Sequence, residues 1–154
     1  MLIIIDANLF SNMAGSDEEY TPLVVYISFG KGTVAYGGKK YEGELAKHKK
    51  FFQLLLEWEK KRKTIRLDKG IVDKNEAFLK ANFIRKNFDD HHILAMVIYS
   101  GAEVICSMDR GLHALVNACY CVAGRMRIDA NCVQLCSLKK PRIYQGKQHV
   151  GLLV

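Results

Sequence analysis

Prolines are scarce in this 154-residue chain, two in all, and no low-complexity stretch interrupts it. Extended disorder is therefore excluded as the expectation. No run approaches the roughly 20 apolar residues that a membrane-spanning helix needs. The apolar start Leu2–Ile5 is cut at once by Asp6, unlike a signal peptide, so a cytoplasmic protein is expected. No Cys-x-x-Cys pairs of the zinc-ribbon kind occur among the five cysteines, Cys106, Cys119, Cys121, Cys132 and Cys136. Reduced, mostly buried thiols are the expectation, and a zinc site from Cys119, Cys121, Cys132 and Cys136 is the alternative. No internal repeat is present, and no acidic residue follows Asp129.

What is there fits one domain. The chain is long enough to bury a sheet between helices without disulfides or a structural metal, with 49% hydrophobic and 25% charged residues. The formal net charge is +7, with Lys60, Lys61, Arg62, Lys63 and Arg66 clustered and Lys139, Lys140, Arg142 and Lys147 forming a basic C-terminal tail over about 139–154. Such surfaces attract polyanions, although a solvated helix face explains the same charges.

Along the chain, Leu2–Ile5 is a β-branched run of the kind found in a central parallel strand. Ser16-Asp17-Glu18-Glu19 has the form of a capping box, and Thr21-Pro22 is a second helix start; residues 23–29 suit a strand by propensity. Thr33–Tyr36 is a strand closed by Gly37-Gly38. Tyr41, Leu45, His48, Phe52 and Leu55 then recur at helical spacing, which predicts one long helix to about Lys63. A strand is expected over 64–67, a helix capped by Asp73 from Lys74 to about Arg85, and a helix opened by Asp89-Asp90 and stopped by Ser100-Gly101. A strand over 103–108, a helix over 111–123 and a last strand over 133–138 complete the pattern. Alternating strands and helices imply an α/β protein, a three-layer α/β/α sandwich around a parallel sheet.

Binding sites in such sheets lie beyond the carboxyl ends of the strands. Asp6, in Ile5-Asp6-Ala7-Asn8, and Asp109, in Ser107-Met108-Asp109-Arg110, both fall there, and Asp89-Asp90 opens the helix feeding the second strand. One aspartate at a strand end is often only a helix cap. Several converging carboxylates raise one another's pKa, a cost that a divalent cation removes. Magnesium or manganese suits an all-oxygen donor set.

With these residues in view, the chain resembles the PIN-domain family over nearly its whole length. The Asp-x-Asn start after an apolar strand, the Asp-x-x-Ile-x-Ala helix beginning at Asp90 and the Ser-x-Asp strand end at Asp109 stand in that family's order and spacing. The resemblance implies a PIN-like sandwich and a site of four metal-holding, catalytic acids, three of them Asp6, Asp90 and Asp109. The fourth comes from the long helix, where Glu44 lies roughly 50° from the apolar stripe and Glu42 more than 100°. Glu44 is chosen, and Glu42 is left as a solvated surface charge. Asn8, Asp89 and Ser107 are expected to support these acids by hydrogen bonds or a cap, and Lys39, Lys40 and Arg110 to contact substrate phosphates or balance charge. His91 and His92 are expected to pack at the helix start or face solvent.

The activity implied is a Mg2+- or Mn2+-dependent endoribonuclease that hydrolyses RNA phosphodiester bonds with a metal-activated water. It is further implied to be a bacterial toxin restrained by an antitoxin protein, with a homo-oligomer as another partner arrangement. Two other classes compete. One is an inactive PIN-fold module that binds RNA or protein, which would retain RNA without cutting it. The other is a response-regulator-like receiver, disfavoured because no phosphoacceptor aspartate and downstream lysine pair is evident.

Overall fold

Three consecutive isoleucines set the position of the first strand. Ile3, Ile4 and Ile5 are all fully buried, so β1 (Leu2–Ile5) has apolar neighbours on both faces and cannot lie at an edge. The computed structural model describes residues 1–15, 17–82, 89–112 and 116, and the backbone of 142–144. Within them β1 pairs in parallel with β2 (Thr33–Tyr36) on one side and β4 (Val104–Cys106) on the other. β3 (Thr64–Arg66) extends the sheet beyond β2, and β5 (Arg142–Tyr144) extends it beyond β4. The order is β3-β2-β1-β4-β5, all parallel. With its helices this is an α/β fold compatible with a three-layer sandwich. The sheet grows outward from β1 first in one direction and then in the other, so a topological switch point falls between the carboxyl ends of β1 and β4.

The second helix start is the one used. A short turn, Ala7–Leu9, leads into α1 (Phe10–Ala14), and α2 (Thr21–Phe29) follows with proline in its first turn. Residues 23–29 are thus helical despite their β-branched content, because Leu23 and Ile27, four apart, bury together in the core.

The expected long helix is two. α3 (Lys39–Leu45) and α4 (Lys49–Lys60) are separated at His48, whose φ of −112° and ψ of 69° leave the helical region. Tightened bonds from Lys47 N–H to Glu44 O and from His48 N–H to Leu45 O close α3, and the His48 ring packs edge-on against Phe10. The break advances the apolar stripe: Phe51, Leu55 and Trp58 are buried, while Phe52, assigned to the stripe by its spacing, is 42% exposed. Phe51 stacks on Phe10 with ring centroids 4.1 Å apart.

α5 (Lys69–Asn82) is the longest described helix and begins earlier than expected. Its cap is Asp68, which accepts the Ile71 N–H at 2.9 Å. Asp73 instead lies inside α5 and reaches across to accept the Lys39 N–H at 2.7 Å, capping α3 from another element. α6 (His91–Ser100) packs on α5 and against β1 and β2, and ends at Gly101 in the left-handed conformation, φ 68°.

The reading of 133–138 as a strand lies outside the described residues, as does most of the helix expected over 111–123. Arg142–Tyr144, placed by the sequence in a basic tail, instead supplies β5. No described helix is long and apolar enough to cross a membrane.

Candidate functional site

Parallel register brings the first two acids together. Ile5 pairs with Cys106, so the next residue on each strand, Asp6 and Ser107, emerges at the switch point, and the Asp6 N–H donates to Cys106 O at 2.9 Å. The fully buried Ser107 hydroxyl donates to Asp6 Oδ2 at 2.6 Å and accepts the Asp109 N–H at 3.0 Å. Asn8 Nδ2 donates to the same hydroxyl at 3.4 Å. Ser107 therefore joins the two strand ends, and Asn8 steadies it. Asp6 is only 4% exposed. Burial pushes its carboxyl up from the ordinary value, the Ser107 bond and the Asn8 and Ala7 N–H groups oppose this, and the Asp109 charge adds to the rise.

Asp90 occupies the N-cap position of α6, where Asp89 was expected, yet its side chain makes no cap bond. Its carboxyl is pushed up to about 7, first by burial, then by a hydrogen bond with Asp109 and by the Asp6 charge. Two carboxyl groups sharing a hydrogen bond must hold a proton between them, so this pair is partly protonated near neutral pH. Asp109 Oδ1 also accepts the Gly111 N–H at 2.6 Å. The exposed Asp89 instead pairs with Lys40 at 2.8 Å, and that ammonium lowers its pKa.

Glu44 and Glu42 are about equally exposed, 26% and 25%, and differ in their partners. Glu42 pairs with Arg66 at 2.8 Å and Lys69 at 3.9 Å, which corrects its reading as a solvated surface charge. The Glu44 carboxyl is raised by burial, lowered by Lys40, and raised again by Asp6 and Asp89. Its Oε2 lies 3.2 Å from His92 Nε2. His92 is 1% exposed and His91 5%, which corrects the expectation of solvent for either. Burial, followed by the Lys40 charge, holds the His92 pKa down to about 4. The ring is therefore neutral at neutral pH, and facing a carboxylate it donates through Nε2. His92 is the polar neighbour of the site that sequence reasoning missed. Its only signal was its place in the first turn of α6, two residues after Asp90. Tyr41 OH donates to Ile5 O at 2.8 Å, tying α3 to the end of β1.

The structure thus links Asp6, Glu44, Asp90 and Asp109 by mutual electrostatics, with Asp6 acting on both Glu44 and Asp90. Among the described residues, no three His, Cys, Asp or Glu side chains close into a preformed metal cage. The donor chemistry nonetheless fits a hard divalent cation: carboxylate oxygens only, with the pKa values of Asp6, Glu44 and Asp90 raised first by burial and further by neighbouring carboxylates. Cys106 offers no rival site, since its thiol is buried in β4 and pushed far up. Cys119, Cys121, Cys132 and Cys136 lie outside the described residues.

Beside the acids runs a groove of about 740 Å³ in which Lys39, Lys40, Lys47 and Lys80 are matched in number by Glu44, Asp73, Glu76 and Asp89. Lys39, Lys47 and Arg110 form no ion pair among the described residues. Comparison with protein-family models, with curated proteins and with solved structures finds no match.

Proposed function

We propose that this chain is a Mg2+- or Mn2+-dependent endoribonuclease of the PIN-domain type, with Asp6, Glu44, Asp90 and Asp109 holding the cation. One observation carries the reading: the acids gather at the switch point of a parallel sheet, where Asp90 is driven to about 7 by burial and by its fellow carboxyls. Crowded carboxylates of this kind are stabilised by a cation and destabilised without one. A bound divalent ion supplies charge neutralisation and a lowered pKa for water at a phosphodiester.

The chain's own residues do the rest. Ser107 and Asn8 fix Asp6 and Asp109 relative to each other, and His92 holds Glu44. The net charge of +7 favours a polyanionic substrate. A cytoplasmic toxin held in check by an antitoxin protein is the biological setting that the resemblance suggests.

The test is cleavage of labelled RNA in Mn2+, in Mg2+ and in chelator. Wild type should cut only with metal, and Asp6→Asn and Asp109→Asn should lose at least about a hundredfold while keeping the wild-type circular dichroism spectrum. RNA retained without any cleavage in Mn2+ would point to a binding module; full activity in both variants would remove these acids from the site.

A further inference from the structure

An arginine closes α4 where a helix commonly takes glycine. The Lys63 N–H donates to Trp58 O at 2.8 Å and the Arg62 N–H to Glu59 O at 2.9 Å, the two bonds of a Schellman turn, with Arg62 at φ 57°. Among the described residues it alone, apart from glycines, takes a positive φ, a conformation that disfavours any L side chain. The side chain is exposed and in no ion pair among those residues, so nothing in the fold accounts for it.

Its neighbours share its charge. Lys60, Lys61, Arg62 and Lys63 lead into β3, and the Lys63 ammonium donates to Gly30 O, joining this loop to the one that leads into β2 with Phe29 and Lys31. Lys61 Nζ stands 5.0 Å from the centre of the Phe29 ring, which is 79% exposed among the described residues. None of these five cations is in an ion pair there. The nearby acids are occupied: Glu57 lines a separate pocket with Asp17 and Lys50, Glu59 accepts from Tyr36 OH at 3.4 Å, and Glu103 accepts the Leu2 N–H at 3.3 Å. Beyond the described residues the sequence holds one acid, Asp129, which can offset at most one unit of this charge.

Both loops precede their strands, so they lie at the amino end of the sheet, across it from the acids. We propose that this surface anchors single-stranded RNA, with phosphates on Arg62 and its flanking lysines and a base stacked on Phe29. An exposed ring among unpaired cations is the combination that holds single strands without reading their sequence. The choice of RNA rests on the ribonuclease reading; the cationic, aromatic surface stands without it.

Fluorescence anisotropy of a labelled oligouridylate in chelator reads binding without cleavage, for wild type, Arg62→Gly and Phe29→Leu. Arg62→Gly should raise the Tm, because glycine suits the left-handed position, yet make the slope of log Kd against log salt shallower by about 0.7, the share of one single-strand phosphate contact. Phe29→Leu should weaken binding at least about fivefold, the low end for one lost base stack. An unchanged slope in Arg62→Gly or an unchanged Kd in Phe29→Leu overturns the surface, as does polyglutamate or a phosphatidylserine vesicle displacing the RNA equally well. Binding that depends on both residues without cleavage in Mn2+ would leave the surface standing and remove the nuclease, whereas cleavage with binding indifferent to both would do the reverse.

Discussion

Asp90 shows how a single carboxyl can make the folded state depend on pH. In the unfolded chain it titrates at its ordinary value of 3.8, and in the fold at about 7. Between those values the native state binds more protons than the unfolded one, so the contribution is fully present below 3.8 and is lost as pH rises through about 7. Asp6 and Glu44, also raised, act in the same direction. His92, lowered from 6.5 to about 4, acts the other way below pH 6.5, in wild type and variant alike. The Asp90 contribution is therefore read as a difference: in chelator, Asp90→Asn should raise the Tm relative to wild type more at pH 8 than at pH 5. An equal difference at both pH values would show that the Asp90 carboxyl is not the group responsible. At this scale the sequence was legible in part: the angular offset on α3 gave Glu44 and Glu42 different neighbours, His92 and Arg66, but not the difference in exposure expected of them. It was not legible at His92, because burial depends on what packs over the first turn of α6, and that is not local information.

At the scale of elements, two glycines make the turn from β2 into α3. Gly37 and Gly38 have φ of 153° and 89°, and a Cβ on Gly38 would stand 2.6 Å from Val72 Cγ1. Gly38→Ala combines a strained backbone with a clash against α5, so it should cost about 1–3 kcal/mol. Urea denaturation with an unchanged midpoint would contradict this.

Strand positions were readable because β-branched runs ended in glycine or aspartate, as at Ile5 and Tyr36. The break between α3 and α4 was not, since neither proline nor glycine marks it. His48 leaves the helix through contacts with Phe10 and the Ser11 hydroxyl, which the sequence places 37 residues away. The cap at Asp68 was likewise hidden behind Asp73, an equally good cap by composition that serves α3 instead.

For the whole molecule, the parallel sheet was legible from the alternation of strand and helix patterns, but its far edge was not. Arg142–Tyr144 carries a positive charge within a segment broken by Pro141, two glycines and several lysines, and only the pairing with β4 makes it a strand. Ending the chain at residue 140 should expose the β4 edge. A lower Tm and increased light scattering on heating are expected, because an unpaired strand edge recruits other chains. Equal stability of the shortened and full-length proteins would show that β5 contributes nothing to the sheet.

The hydroxyl joining Asp6 to the end of β4 spans 101 residues of sequence. During synthesis the amino-terminal acid leaves the ribosome long before the serine that locks it in place, and before Asp109. A growing chain therefore carries its carboxylates scattered until β4 has been made. On the nuclease reading proposed above, cleavage could begin only after that strand has docked beside β1.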